Sequence, residues 1–108
     1  MVLTVEEIKT RVRPVAEKYE IPVVYIFGSY ARNEATNESD IDFLVGTSGL
    51  SEKYRWSVYS DFFEELKEAV EREIDLVEIE AFDEPMQIAS NREFFEKMMK
   101  ERIKIFER

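Results

Sequence analysis

The order of apolar and polar positions divides the chain into alternating helical and extended segments. Residues 5–19 carry Ile8, Val12 and Val15 at helical spacing, an apolar stripe on an otherwise polar segment. Thr4-Val5-Glu6-Glu7 has the hydroxyl-to-carboxylate spacing of a capping box, which marks the helix start. Pro14 lacks a backbone donor, so a kink or a restart is expected there. After Pro22 comes Val23-Val24-Tyr25-Ile26-Phe27, a continuous β-branched and aromatic run that reads as a central strand covered on both faces. Gly28-Ser29 closes that strand. A short helix is expected over about residues 30–34, and a turn at Asn37-Glu38-Ser39.

The remainder of the chain alternates in the same way. From Asp40 to Val45, Ile41, Phe43 and Val45 interleave with Asp40, Asp42 and Leu44, the period of a second strand. Gly46-Thr47-Ser48-Gly49 reads as a loop. A long amphipathic helix follows over about residues 51–72, with Trp56, Tyr59, Phe62, Phe63, Leu66 and Val70 on its buried stripe. Residues 73–79 form a third strand, with Asp75, Val77 and Ile79 on one face. Asp83-Glu84-Pro85 has the cap and first-turn proline of a helix start. That helix should run to about Lys100 through Phe94, Phe95, Met98 and Met99. In the segment 102–106, Ile103 and Ile105 alternate as in a strand, although a helix could also carry them.

Size and composition narrow the function. With 108 residues, 44% of them hydrophobic, the chain suits a single compact domain over residues 1–108. No apolar run is long enough for a transmembrane helix, and residues 1–7 do not resemble a signal peptide; a cytoplasmic location is expected. There is no cysteine and no histidine. This excludes disulfides, thiolate nucleophiles, histidine-based triads and the common zinc sites. Any metal must be held by oxygen ligands, which favours magnesium, manganese or calcium. The net charge of −9 argues against broad binding to nucleic-acid backbone. It fits an enzyme that handles phosphate through metal ions, or an acidic partner for a basic protein.

The chemistry is concentrated between residues 27 and 45. Gly28-Ser29 lies between a strand and a helix, where glycine lets backbone approach a ligand. There the N–H groups at a helix start can receive phosphate oxygens, and the Ser29 hydroxyl can add a bond. After ten intervening residues comes Asp40-Ile41-Asp42. Residues two apart on a strand project to one side, so Asp40 and Asp42 are expected together while Ile41 enters the core. Two adjacent carboxylates resist joint ionisation unless a cation sits between them, and magnesium combines carboxylate with phosphate oxygens. Asp75 can join them if its strand lies beside residues 40–45, either binding metal or taking a proton from an attacking hydroxyl. Taken singly, each feature has an ordinary reading: a turn, a solvated strand end, one acid among many. Arg32 is either a phosphate contact or a salt-bridge partner of a nearby acid.

The segment Phe27-Gly28-Ser29-Tyr30-Ala31-Arg32, followed by Ser39-Asp40-Ile41-Asp42-Phe43-Leu44-Val45, resembles the signature of the DNA polymerase β-like nucleotidyltransferase superfamily. Within it the chain is most similar to the minimal nucleotidyltransferase (MNT) branch, whose members have a similar length. The resemblance implies an α/β (α+β) fold, a small mixed sheet of three to four strands flanked by helices, and a strand over residues 103–106. It implies that Asp40, Asp42 and Asp75 hold two magnesium ions and that Gly28 and Ser29 hold a triphosphate. Asn33 stands where the family commonly has glycine, and asparagine tolerates the left-handed conformation better than most residues.

The same resemblance implies a function. The MNT branch commonly pairs with HEPN-domain toxins, on which the MNT protein acts as antitoxin by transferring AMP from ATP to a tyrosine. Two alternatives belong beside it: adenylylation of a small molecule or an RNA end, and a non-catalytic antitoxin that binds its partner. The Phe94, Phe95, Met98 and Met99 group is either core or a surface for such a partner.

Overall fold

A computed structural model describes the backbone of residues 2–47, 52–79 and 85–108, and the side chains of those ranges other than 52–58 and 85–91. The elements are α1 (Val5–Lys18), β1 (Val23–Phe27), α2 (Gly28–Ala31), β2 (Ile41–Gly46), α3 (Glu52–Val70), β3 (Ile74–Glu78), α4 (Pro85–Glu101) and β4 (Ile103–Glu107). The strands form one mixed sheet in the order β3-β2-β1-β4. β1 pairs antiparallel with both β2 and β4, and β2 pairs parallel with β3. The expected Asp83-Glu84 cap, the Ser48-Gly49 end of the loop, and the Trp56 side chain lie outside the described residues.

The alternation of each strand assigns its two faces to different helices. Val24 and Ile26, Ile41, Phe43 and Val45, Ile74 and Ile105 pack with Ile8, Val12 and Ala16 of α1 and Phe62, Leu66 and Val70 of α3. On the opposite face Phe27 and Leu44 pack with Met98 of α4, supported by Tyr25, Val77, Phe95 and Met99. The 94–99 aromatic and methionine group is therefore split. Met98 is core, Phe95 and Met99 are half-buried, and Phe94 is 49% exposed.

Most expected segments form, with instructive shifts. The capping box is complete: the Glu7 N–H donates to Thr4 Oγ1 and the Thr4 N–H to Glu7 Oε1, each at 3.1 Å. α1 continues through Pro14 as a single helix, so no restart is needed. Its buried stripe is Ile8, Val12 and Ala16, with Val15 only partly buried. Tyr59 is 36% exposed, off the buried stripe of α3, with its hydroxyl donating to the Leu76 carbonyl; the phenol favours a polar partner over full burial. α2 begins at Gly28 itself rather than near Tyr30, and β2 begins at Ile41, leaving Asp40 just ahead of the strand. Residues 103–107 are a strand, as the family resemblance implied.

α1 ends in a Schellman arrangement. The Ile21 N–H donates to the Ala16 carbonyl at 3.0 Å and the Glu20 N–H to the Glu17 carbonyl at 3.2 Å. The pivot, Glu20, has φ 55°, where a side chain crowds the backbone and glycine does not. Its surface ion pair with Arg108, at 3.3 Å, contributes little in water. Glu20→Gly is therefore expected to raise the unfolding free energy by about 0.5–1 kcal/mol, read from urea denaturation. A decrease would show that the left-handed pivot is not strained.

Candidate active site

The carboxylates are placed by strand register. Phe27, the last residue of β1, lies opposite Asp42 across the antiparallel pair. Asp42 lies beside Asp75 across the parallel pair. Both aspartates project to the sheet face that also carries Leu44, Val77 and helix α4. The Asp75 side chain lies within hydrogen-bonding reach of Asp42 and raises its pKa. Together with Phe27, Leu76, Val77 and Phe94 they line a cleft of about 370 Å³.

Burial is the largest influence on Asp42 and raises its pKa; the hydrogen bond and charge of Asp75 come next, then the charge of Asp40. The result is a pKa pushed up to about 6, opposed only in part by the nearby Arg32 guanidinium. A group in this state is a carboxylate that needs positive charge beside it. Asp75 and Asp40 are exposed. Among the described residues no three carboxylates form a ready-made metal cluster. The expected three-aspartate set is thus uneven: Asp42 and Asp75 are partners in register on adjacent strands, and Asp40 acts on Asp42 through its charge.

The Gly28-Ser29 turn is locked against the same pair. Gly28 has φ 70°, and a Cβ built there would sit 2.1 Å from Asp42 Oδ2. No side chain fits in that place, and the left-handed backbone also selects glycine. Tyr30 is buried beneath the turn, while Ser29 is half-buried. The Arg32 N–H closes α2 by donating to the Gly28 carbonyl at 3.0 Å, and the Glu34 N–H donates to the Ser29 carbonyl at 2.8 Å. Asn33 takes φ 60°, the conformation glycine would supply.

Arg32 is held by two carboxylates. Its Nε donates to Glu34 Oε2 at 3.2 Å, and its Nη1 donates to Glu101 Oε1 and Oε2 at 3.1 Å each. These bonds, with Glu101 first, hold its pKa above the ordinary arginine value. Glu101 Oε1 also accepts the Gly28 N–H at 2.9 Å. Glu101 escaped the sequence reading because it stands among Lys100, Glu101 and Arg102, a charge run with no spacing that links it to Gly28.

Comparison with known proteins gives a consistent set of matches. The profile of the family described as polymerase beta, nucleotidyltransferase, matches residues 10–108. A candidate protein adenylyltransferase of Methanocaldococcus jannaschii is 46% identical over 65 residues, covering 56% of this chain and 60% of that protein. The match thus spans less than two thirds of that relative's length. A crystallised toxin–antitoxin complex with AMP-PNP contains a chain of similar fold, with a TM-score of 0.64 at 17% identity over 93% of this chain and 73% of that one. A complex of a tri-AMPylated HEPN toxin of Shewanella oneidensis with MNT antitoxin gives a TM-score of 0.60 at 16% identity, over 97% of this chain and 74% of that one.

Two outcomes follow from the geometry. Gly28→Ala forces a methyl group against Asp42 in a strained backbone. It should lower the unfolding free energy by about 2 kcal/mol, measured by chemical denaturation; a neutral effect would contradict the close approach. The second concerns pH. Asp42 has a folded-state pKa above the ordinary aspartate value of 3.8, so the folded chain binds this proton more tightly than the unfolded chain does. Its stabilising contribution is present at acid pH and is lost as pH rises through about 6. Relative to Asp42→Asn, the wild-type melting temperature should therefore fall by a few degrees between about pH 4 and pH 7. Parallel melting curves across that range would refute the raised pKa.

Proposed function

The chain belongs to the polymerase beta nucleotidyltransferase family, and from that premise we propose that residues 1–108 act as one domain transferring AMP from ATP to a hydroxyl acceptor. The observation that carries this reading is the Asp42–Asp75 pair packed against the Gly28 turn. The acceptor we propose is a tyrosine of a HEPN-domain toxin, with this chain as its antitoxin. Support for the acceptor class comes from the adenylyltransferase relative and from the fold shared with a complex of a tri-AMPylated HEPN toxin.

The donor set fits magnesium. It offers only oxygen ligands, and the raised pKa of Asp42 beside the carboxylates of Asp75 and Asp40 marks a place where a cation would relieve repulsion. Asp42 and Asp75 would hold the ion, with Asp40 beside them and able to join a second. When bound, magnesium would offset the charge of the triphosphate and of the departing pyrophosphate.

The chain's own groups have separate tasks in this proposal. With the Gly28 N–H held by Glu101, the turn would offer the Ser29 N–H and hydroxyl to the triphosphate. Arg32 supplies positive charge on the same side of the site. The acceptor oxygen forms a bond to the α-phosphorus as the bond from that phosphorus to the bridging oxygen breaks. Pyrophosphate departs with the bridging oxygen, and Asp75, if it does not hold metal, would take the acceptor's proton. Holding the reactants in line supplies much of the rate.

The test is incubation with ATP labelled at the α-phosphate, magnesium and a HEPN-domain partner. Label should appear on the partner and depend on magnesium. Asp42→Ala and Asp75→Ala should each lower transfer on the order of a hundredfold or more. A stable complex without label would favour a non-catalytic antitoxin. Label only on a small molecule or an RNA end would replace the acceptor, and undiminished transfer by Asp42→Ala would overturn the site.

A further inference from the structure

Glu101 is the last residue of α4 and directly precedes β4. Its side chain is 17% exposed, much less than the 36% of the Arg32 side chain it meets. One carboxylate reaches two features of the site. Oε1 accepts the Gly28 N–H at 2.9 Å, and both oxygens accept Arg32 Nη1 at 3.1 Å. Gly28 and Arg32 stand at opposite ends of α2, a helix of four residues.

So short a helix does not hold its own shape. The residue preceding it, Phe27, provides no side-chain cap bond. The first N–H of the turn is instead satisfied by a carboxylate 73 residues away in sequence. At the other end, the bonds from Glu101 and Glu34 use Arg32 Nη1 and Nε, so neither carboxylate engages Nη2. The guanidinium is thereby fixed in orientation on the side of the site where its charge acts on Asp42.

We propose that Glu101 is a positioning residue: it clamps the Gly28 turn and the Arg32 guanidinium into one rigid unit and ties that unit to the α4–β4 junction. Its consequence for nucleotide affinity rests on the proposed nucleotidyl transfer; its effect on the turn does not. A charged acceptor on a backbone N–H makes a stronger bond than a neutral one. Glutamine at position 101 keeps an acceptor for Gly28 but loses the charge that holds Arg32. Alanine loses both.

The experiment combines a spectroscopic and a binding measurement on the whole chain. In proton–nitrogen correlation spectra, Glu101→Ala should move the Gly28 amide proton upfield and speed its exchange at least tenfold. The Ile26 and Val45 amides of the sheet should keep their shifts. Glu101→Gln should retain most of the Gly28 protection while the Arg32 Nη resonances change as in Glu101→Ala. With the non-hydrolysable analogue AMP-PNP and magnesium as the probe, Glu101→Ala should weaken binding about tenfold. Adding Arg32→Ala to it should cost no more than twofold further, as expected for residues acting as one unit.

An unchanged Gly28 amide in Glu101→Ala would overturn the proposal. So would independent, multiplicative losses in the double variant. Loss of sheet resonances in both Glu101 variants would equally overturn it, by showing a general structural role. Wild-type protein that binds no AMP-PNP would count against the nucleotidyl-transfer reading, while the Gly28 and Arg32 resonances would still decide the role of Glu101.

Discussion

The site depends on one constraint: the alignment that sets Phe27 opposite Asp42 and Asp42 beside Asp75. A slip of one residue in β2 would turn Asp42 toward α1 and α3 and expose Phe43 on the α4 side. The core forbids this. Ile41, Phe43 and Val45 are essentially fully buried on the α1–α3 face, and a carboxylate there would have no partner. Hydrophobic packing on one face of the sheet thus determines the position of charge on the other. The same alignment brings Gly28 against Asp42, so the turn and the carboxylates share a boundary with no space for a methyl group between them.

The two faces of the sheet do different work. The apolar cluster against α1 and α3 supplies most of the buried side chains among the described residues. Against α4 the apolar cluster is smaller, and the sheet end beside it is given to Asp42, Asp75 and the exposed Phe94. The stable face carries the less favourable one, where a half-buried aspartate with a pKa pushed up to about 6 opposes folding at neutral pH. Such local cost at a site supported by a firm scaffold is a recurrent arrangement in proteins that bind charged ligands.

Much of this was legible in the residues. The buried run at 23–27 and the alternation at 41–45 identified β1 and β2, because β-branched and aromatic runs and period-two patterns are strong local signals. The Thr4–Glu7 cap was equally plain. The boundaries near Gly28 were less so: the helix starts at the glycine, a consequence of packing against Asp42 that no local propensity encodes. Tyr59 was misplaced because helical periodicity cannot tell an aromatic ring that seeks full burial from one whose hydroxyl seeks a carbonyl. β4 was ambiguous in pattern, since its pairing with β1 is decided by tertiary contact. Of the site, strand-face reasoning puts Asp40 with Asp42 and adds Asp75 only if its strand lies alongside, while Gly28 is read separately as a phosphate turn; the register sets Asp42 beside Asp75 and leaves Asp40 just ahead of β2. Glu101 was invisible, because nothing along the chain relates the end of α4 to a turn 73 residues earlier.

The position of β4 also sets the order in which the sheet can be completed. β1 and β2 are hairpin neighbours and can pair once residue 46 is available. The other flank of β1 must wait for residues 103–107, which are made last among the described segments. During synthesis the carboxylate pair and the glycine turn would exist for a period on the order of seconds with one edge of the central strand open and with Glu101 not yet made. An open strand edge invites pairing with other chains. Pairing of β4 therefore covers the vulnerable edge and, because Glu101 directly precedes that strand, brings the distant tether of the glycine turn into place in the same event.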